Sequence, residues 1–391
     1  MERLPFPPAD DVLAIAPRYR ELQDDEPVAP VHTAVGDPAW LVTRHADVTA
    51  LFGDERLGRS HPEPERAARV SASVLLGGPV GDHDTERARH RRMRALLTPA
   101  FSARRMRALQ PRIAHLVDRL LDELPAPPAD WHDVFSVPLP VMVICELLGV
   151  PYADHPRFRR WATELTSLTD PDLAGAARDQ LVGYVRDLIP DKRRTPGEDV
   201  ISDLVAAQRE AALTDDDIAD LSAMLLFAGH ETTVTRIDLG ILLLLDHPEA
   251  LAALRADPAL ADGAVEEILR LSALTTTGGL PRYAHDDIAV GGTTLPAGSA
   301  VLLATHAANR DHRVFPDPDA FDITRRPNPH LSFGHGFHYC VGASLARIEL
   351  REVFSRVPAR LPGLRLAVPR DAVRLRHDRL TGGLAALPVT W

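Results

Sequence analysis

The sequence predicts a mainly α-helical protein with a small β-rich portion, and three observations carry that expectation. From about residue 100 to 275, apolar side chains recur at three- and four-residue spacing, the period of helices with one buried face. Pro, Asp and Gly clusters at 125–130, 190–197 and Asp257-Pro258 cut this stretch into separate helices. Strand-like runs occur only towards the two ends, at Trp40-Leu41-Val42-Thr43, Ile288-Ala289-Val290 and Ala300-Val301-Leu302-Leu303, with turn signals at Gly291-Gly292 and Pro296-Ala297-Gly298.

At 391 residues the chain exceeds the usual size of one domain and is ample to enclose a cofactor. We expect a single domain over 1–391, with a β-rich portion at about 25–60 and 280–305 plus C-terminal strands, and an α-rich body at about 85–275 and 340–360. Two stretches, 60–84 and the proline-rich 309–329, lack periodicity and read as loops.

Charge and cysteine usage narrow the class. With 44 basic and 55 acidic residues the net charge is −11, which argues against nucleic-acid binding. Cys145 and Cys340 are the two cysteines, and neither sits in a CxxC pair or at zinc-ligand spacing, so a reducing compartment is expected. The N-terminus lacks a basic segment followed by an apolar one, and the most apolar runs fall short of the ~20 residues that cross a bilayer. The expectation is a cytoplasmic protein without a membrane anchor.

Taken in chain order, the first polar constellation is His90-Arg91-Arg92-Met93-Arg94, where His90 and Arg94 stand four residues apart on one helix face. A long helix follows. Thr214 caps it, Asp215, Asp216 and Asp217 suit the positive end of its dipole, and His247-Pro248 stops it, about 32 residues and about 48 Å later. Ala228-Gly229-His230-Glu231-Thr232-Thr233 interrupts its apolar run. Gly and paired threonines weaken a helix interior, so this segment is expected to bend the helix or open its ladder into a polar notch. The zinc-protease pattern His-Glu-x-x-His fails here because Val234 stands where the second histidine belongs.

Further on, Glu267 and Arg270 form an i, i+3 pair, and Arg282 follows Gly279-Leu280-Pro281 just before a predicted strand. The last constellation is Phe333-Gly334-His335-Gly336-Phe337-His338-Tyr339-Cys340-Val341-Gly342. It places a lone cysteine in a glycine-rich loop that runs into a predicted helix. Backbone N–H groups and the helix dipole there stabilise a thiolate, and Gly334, Gly336 and Gly342 let the backbone turn sharply and lie flat against a bulky group. This reads as a metal-thiolate anchor.

Phe-x-x-Gly-x-x-x-Cys-x-Gly, together with the Ala-Gly-x-Glu-Thr segment and the Glu-x-x-Arg pair in this order, resembles the cytochrome P450 haem-thiolate monooxygenases, and the resemblance covers essentially the whole chain. It implies a triangular prism of helices enclosing haem b, iron protoporphyrin IX. By the same resemblance Cys340 is the proximal iron ligand, and Phe333, Gly334, Gly342 and Ala228 line the cofactor. His90, Arg94, Arg282 and His338 bind the propionates, for burying these anions demands cationic partners. Glu231 and Thr232 relay protons for dioxygen cleavage, and Glu267 and Arg270 hold the binding core together. A third arginine normally joins that pair from a Phe-x-x-Pro-x-Arg-Phe context; Ala320 stands in its place, which leaves Arg325 or Arg326.

The implied activity is a monooxygenase that activates dioxygen with two externally supplied electrons. It would hydroxylate or otherwise oxidise a medium-sized, mostly apolar small molecule, as in actinobacterial enzymes that tailor natural products. Oxidative C–C or C–N coupling or skeletal rearrangement is the alternative, and a non-catalytic haem sensor is less favoured because the thiolate and the relay are both present. No flavin or nucleotide fingerprint occurs, so the electrons would come from a ferredoxin and its NAD(P)H-dependent reductase. Arg91, Arg104, Arg347 and Arg351 are candidates for the basic patch that receives the donor. Substrate contacts are expected from 69–80, 224–228, 274–279 with Thr275, Thr276 and Thr277, and 381–384.

Overall fold

A computed structural model describes residues 1–272 and 278–391, so Thr275, Thr276 and Thr277 lie outside the described residues. The chain divides into two compact units interleaved in sequence. One comprises Met1–Arg91, Glu266–Cys340 and Arg374–Gly382, the other Arg92–Val265, Val341–Val373 and Gly383–Trp391.

The first unit is built on a six-stranded sheet whose spatial order is Glu2–Arg3, Val28–His32, Pro38–Val42, Ala300–Leu303, Leu280–Ala284 and Leu57–Gly58. Val28–His32 and Pro38–Val42 form an antiparallel hairpin in the register Val28↔Val42 to His32↔Pro38. Pro38–Val42 then runs parallel to Ala300–Leu303, with Trp40 opposite Val301 and Val42 opposite Leu303, so distant segments close one sheet. Strand alternation sends side chains to opposite faces. Leu41 and Leu302 join Leu4, Phe6, Tyr19 and Leu22 on one side. Val42, Val301 and Leu303 join Val48, Leu51, Phe52 and Leu331 on the other. The helix Arg18–Asp25 supplies Tyr19 and Leu22, and His45–Gly53 supplies Val48, Leu51 and Phe52. Buried Gln23 ties the first of them down, donating to the carbonyls of Thr43 at 2.9 Å and Ala307 at 2.8 Å.

The second unit is helical. Its axis is the helix Asp215–Asp246, which packs against Pro138–Leu148, Pro171–Arg194 and Ala343–Arg360. A full capping box opens it: Thr214 Oγ1 accepts from the Asp217 N–H at 3.1 Å, and the Asp217 carboxylate accepts from the Thr214 N–H at 2.8 Å. Ala103–Asp122 presents Met106, Leu109, Ile113, Val117 and Leu120 as one buried stripe and packs on Ala343–Arg360.

The C-terminal strands depart from the expected grouping with 25–60 and 280–305. Arg365–Leu366 and Pro388–Thr390 instead pair with Ala129–Asp130 in a separate antiparallel sheet of this second unit. The register is pinned by Asp130 Oδ1, which accepts from the Leu387 N–H at 2.8 Å, while the Trp131 N–H donates to the Leu387 carbonyl at 2.9 Å. Among the described residues no helix is long and apolar enough to cross a membrane.

Candidate active site

The cysteine loop belongs to the first unit and is clamped at its start. Ser332 Oγ donates to the Leu269 carbonyl at 2.6 Å and accepts from Asn309 Nδ2 at 2.8 Å, while the Leu331 N–H donates to Asn309 Oδ1 at 2.7 Å. The loop then doubles back, and the Cys340 N–H donates to the Phe333 carbonyl at 2.9 Å. Gly334 and Gly336 lie at φ +69° and +65°, in the left-handed region that disfavours a side chain. At Gly336 a Cβ would also stand 2.7 Å from the Phe52 carbonyl oxygen. Gly342 differs from expectation: its φ is −86°, and it serves as the residue that caps Ala343–Arg360. The result is an exposed Cys340 thiol three residues ahead of a helix start. Cys145 contrasts with it, being buried in the helix Pro138–Leu148, where burial and then Asp154 push the thiol far above its ordinary range.

Beside the loop, still in the first unit, stands a cluster of arginine and histidine side chains. The rings of His90 and His338 are 4.3 Å apart between centroids, and His90 also meets Phe337 at 4.2 Å. His338 is driven down to about 3, first by burial and then by the charges of Arg282, His90 and Arg59. Arg282 falls to about 9 for the same reasons, burial first and Arg59 next. Only 7% of Arg282 is exposed, yet among the described residues its guanidinium has a single acceptor, the Pro281 carbonyl at 2.8 Å. Among the described residues one carboxylate faces the group. Glu86 lies 3.8 Å from His338 and 3.7 Å from His285. Burial opposes its ionisation, but donation from the Ser60 hydroxyl and the Arg59 and Ser60 N–H groups holds its carboxyl below the usual range.

Arg59 and Glu86 therefore belong to the site although sequence patterning did not single them out. Arg59 sits at the head of the aperiodic stretch, and only the antiparallel pairing of Leu57–Gly58 with Leu280–Ala284 brings it near Arg282. Arg94, one turn beyond His90 on Glu86–Leu97, is half-buried and falls in the second unit.

The Glu267/Arg270 pair is wholly buried, both side chains being 0% exposed. Arg270 Nε and Nη2 bind the carboxylate bidentately at 2.8 and 2.7 Å, and the remaining N–H groups reach the carbonyls of Asn309, Pro318 and Ala320. The third arginine is Arg325, whose Nε lies 3.1 Å from Glu267 Oε1. Ala320, which lacks the expected guanidinium, contributes its carbonyl instead.

In the second unit the expected helix interruption takes another form. Asp215–Asp246 remains continuous, because Thr232, Thr233 and Thr235 each donate to the carbonyl one turn back, of Ala228, Gly229 and Glu231, at 2.9, 3.1 and 3.1 Å. These hydroxyls add to the ladder rather than breaking it. Between 221 and 245 the exposed side chains are Met224, Ala228 and Thr232, spaced four apart on one stripe of an otherwise buried or half-buried helix. Glu231 points elsewhere. Its carboxylate is buried 3.5 Å from the Thr166 hydroxyl at the end of His155–Leu165, a partner with no signature in the sequence.

The first unit thus offers an exposed thiol on a clamped glycine loop beside a group of arginines and histidines, as a haem-thiolate anchor requires, and the second unit by itself carries an open stripe, Met224, Ala228 and Thr232, beside a buried acid. Comparison with known proteins agrees. The cytochrome P450 profile matches residues 172–357. Pentalenolactone synthase of Streptomyces exfoliatus is 46% identical over 404 residues, covering 100% of both chains. The chain belongs to the cytochrome P450 family. Mycinamicin IV hydroxylase/epoxidase of Micromonospora griseorubida is 42% identical over 98% of each chain. Among solved structures, the polyene macrolide antibiotic pimaricin epoxidase PimD superposes with a TM-score of 0.90 at 40% identity, over 100% of this chain and 99% of that one. The mixed-function P450 MycG gives the same TM-score, identity and coverage.

The protein is thus a P450 monooxygenase with the P450 fold, and the family implies a haem cofactor, a small-molecule substrate and redox partners. The residues present fit that cofactor. Haem brings two carboxylates, and among the described residues Arg59 and Arg282 set two guanidinium groups against the carboxylate of Glu86, with the imidazoles of His90 and His338 beside them. Haem also needs a soft ligand on its iron, and of the two cysteines Cys340 is exposed while Cys145 is sealed in a helix core.

Proposed function

We propose that this P450 oxidises a medium-sized, mostly apolar small molecule in natural-product biosynthesis, with hydroxylation as its default outcome. The observation that carries the reading is the open stripe Met224, Ala228 and Thr232: two apolar side chains for substrate followed by one hydroxyl beside a buried acid. Relatives named for pentalenolactone synthesis and for mycinamicin IV hydroxylation and epoxidation support the substrate class.

When bound, haem b supplies the oxidising chemistry, and the protein tunes and positions it. Cys340 would hold the iron through its sulfur, with the helix start three residues on favouring the thiolate form. His90, Arg94, Arg282 and His338 take the propionates, with Arg59 as a further cation and Glu86 fixing His338. Phe333, Gly334, Gly342 and Ala228 would line the macrocycle. Met224 and Ala228 exclude water around the substrate. The Thr232 proton is committed to the Ala228 carbonyl, so its oxygen lone pairs are left to accept a hydrogen bond on the open side. Glu231, held by Thr166, would be the acid that supplies the proton, while the Thr232 oxygen accepts a hydrogen bond and positions the group to be protonated.

Electrons are supplied by a ferredoxin and its NAD(P)H-dependent reductase, for which exposed Arg91 and Arg104 offer a cationic landing area. Screening candidate terpenoid, polyketide and aromatic peptide scaffolds by substrate-induced spin-state shift, followed by product analysis with surrogate ferredoxin and reductase, tests the reading. An added oxygen in the product of a spin-shifting scaffold supports it. Coupled or rearranged product without added oxygen would replace it with oxidative coupling or rearrangement.

A further inference from the structure

Away from the open stripe, the long helix Asp215–Asp246 turns another face to the π-helical turn His132–Ser136, and there it buries polar atoms that protein groups leave unsatisfied. His132 Nδ1 and Asp238 Oδ2 are paired at 2.6 Å, with Asp238 1% and His132 12% exposed. The second carboxylate oxygen, Asp238 Oδ1, has no hydrogen-bond partner among the described residues. Ser136 Oγ, Trp131 Nε1 and both ring nitrogens of His230 share that condition. Ser136, Trp131 and His230 are all fully buried or within 1% of it.

These atoms form one group. Ser136 and His132 lie near enough to Asp238 to favour its carboxylate, and the Val137 carbonyl lies near enough to His230 to favour its proton, but among the described residues neither Ser136 nor Val137 makes a hydrogen bond of full geometry to them, which leaves room for water as the better partner. Burial raises the Asp238 carboxyl and lowers the His230 imidazole, as dry surroundings require. A buried donor or acceptor left unmade costs about 1–3 kcal/mol, and folded proteins relieve such groups with ordered water. Here a carboxylate oxygen, a hydroxyl, an indole N–H and an imidazole offer a water the mixed partners it needs.

The cluster also leads somewhere. Glu231, Thr235 and Asp238 follow at i, i+4 and i+7 on one stripe of the helix, about 10 Å from end to end, a distance that a few hydrogen-bonded waters span. At its outer end His132 is the member that reaches solvent. Single π-helical turns are found frequently at functional sites, and this one presents both His132 and Ser136 to the stripe.

We propose that ordered water fills this cluster and links the His132–Asp238 pair to Glu231, so that the acid is recharged from solvent by a route apart from the substrate stripe. The inference rests on the reading of Glu231 as the proton-carrying acid. Each proton leaving Glu231 is replaced from the adjacent water, the deficit passes outward from water to water, and His132 takes one proton from solvent, with no change of oxidation state. Asp238 is a positioning residue that orients His132 and anchors the innermost water.

The test has two parts on the haem-loaded enzyme. A high-resolution crystal structure is expected to show ordered water within hydrogen-bond distance of Asp238 Oδ1, Ser136 Oγ and a ring nitrogen of His230; a dry cluster overturns the proposal. Asp238→Asn, with Ser136→Ala as the second variant should the first fail to fold, is expected to uncouple nucleotide consumption from product about threefold, well short of the ~10²-fold typical of a general acid itself. The substrate-induced spin-state shift should stay unchanged, which separates proton supply from a packing defect. Glu231→Gln is measured alongside. If it uncouples while Asp238→Asn and Ser136→Ala do not, the water route falls and Glu231 remains the acid; if Glu231→Gln stays coupled, the acid assignment falls and the route with it.

Discussion

Arg325 donates from Nε to Glu267 Oε1 at 3.1 Å, although the two lie 58 positions apart in the chain. The same oxygen accepts from Arg270 Nη2 at 2.7 Å and from the Asp322 N–H at 3.1 Å, while Asn328 Nδ2 donates to Oε2 at 3.0 Å. One buried carboxylate thus gathers the helix Ala261–Leu271 and the irregular segment before the cysteine loop. Removing one partner of such a group leaves the other charge stranded in a dry interior. Arg270→Ala should cost about 3–5 kcal/mol and give a protein that fails to retain haem, since the carbonyls of Asn309, Pro318 and Ala320 lose their donor as well. Arg325→Ala leaves the Arg270 fork intact and should cost about 1–2 kcal/mol, read as a lowered thermal midpoint with normal haem content.

The two cysteines predict opposite outcomes. Cys145→Ala should leave the red-shifted Soret band of the reduced carbon monoxide complex unchanged, because that thiol is buried and held protonated. Cys340→Ser should abolish the band in protein whose fold is verified by circular dichroism. Persistence of the band in Cys340→Ser would remove the thiolate assignment.

Arg282 should change the sign of its contribution when the cofactor binds. Without haem, burial and Arg59 work against its charge, so Arg282→Leu is expected to hold or raise the thermal midpoint of haem-free protein. With haem, the lost charge-assisted bond, worth about 1.5–3 kcal/mol, should speed haem transfer to a scavenging apoprotein by about tenfold or more. Equal destabilisation of both forms would speak against a propionate partner.

Thr232 tests the stripe. Among the described residues its hydroxyl bonds only to a carbonyl already within the helix, so Thr232→Ala should shift stability by no more than about 0.5 kcal/mol. Product formed per nucleotide consumed should drop several-fold, and Thr232→Ser should restore it. Unchanged coupling in the alanine variant would count against the relay.

Glu349 offers a pH signature in the helix Ala343–Arg360. It is 2% exposed, its Oε2 has no partner among the described residues, and burial raises its carboxyl well above 4.5. A raised folded value means stability is fully present below the ordinary carboxylate range and is lost as pH rises through the folded value. Glu349→Gln mimics the protonated form, so it should raise the thermal midpoint at neutral pH and leave it nearly unchanged near pH 4.5. A uniform shift at both values would mean that Glu349 is already ionised in the fold.

The difference between what could be read from the chain and what could not follows from range. The helix caps, the sheet runs and the loop around Cys340 are local: Thr214 with Asp217, the alternation at Leu41 and Val42, and glycines at 334 and 336 act over a few residues, so their pattern is their mechanism. That local order, in the succession acid–hydroxyl segment, Glu-x-x-Arg pair, cysteine loop, was enough to identify the family and the fold.

Tertiary structure decided whatever depends on segments meeting. The choice of Arg325 over Arg326 was made by the path of an irregular segment around Glu267. The recruitment of Arg59 to the arginine and histidine cluster needed the strand pairing at Leu57–Gly58. Thr166 met Glu231 only through the packing of two helices, and the C-terminal strands found Ala129–Asp130 rather than the larger sheet. The polar group of His132, Ser136, His230 and Asp238 has no sequence signature at all. Its members come from separate segments of the chain, and only their packing together gives them a common energetic problem and a common solution.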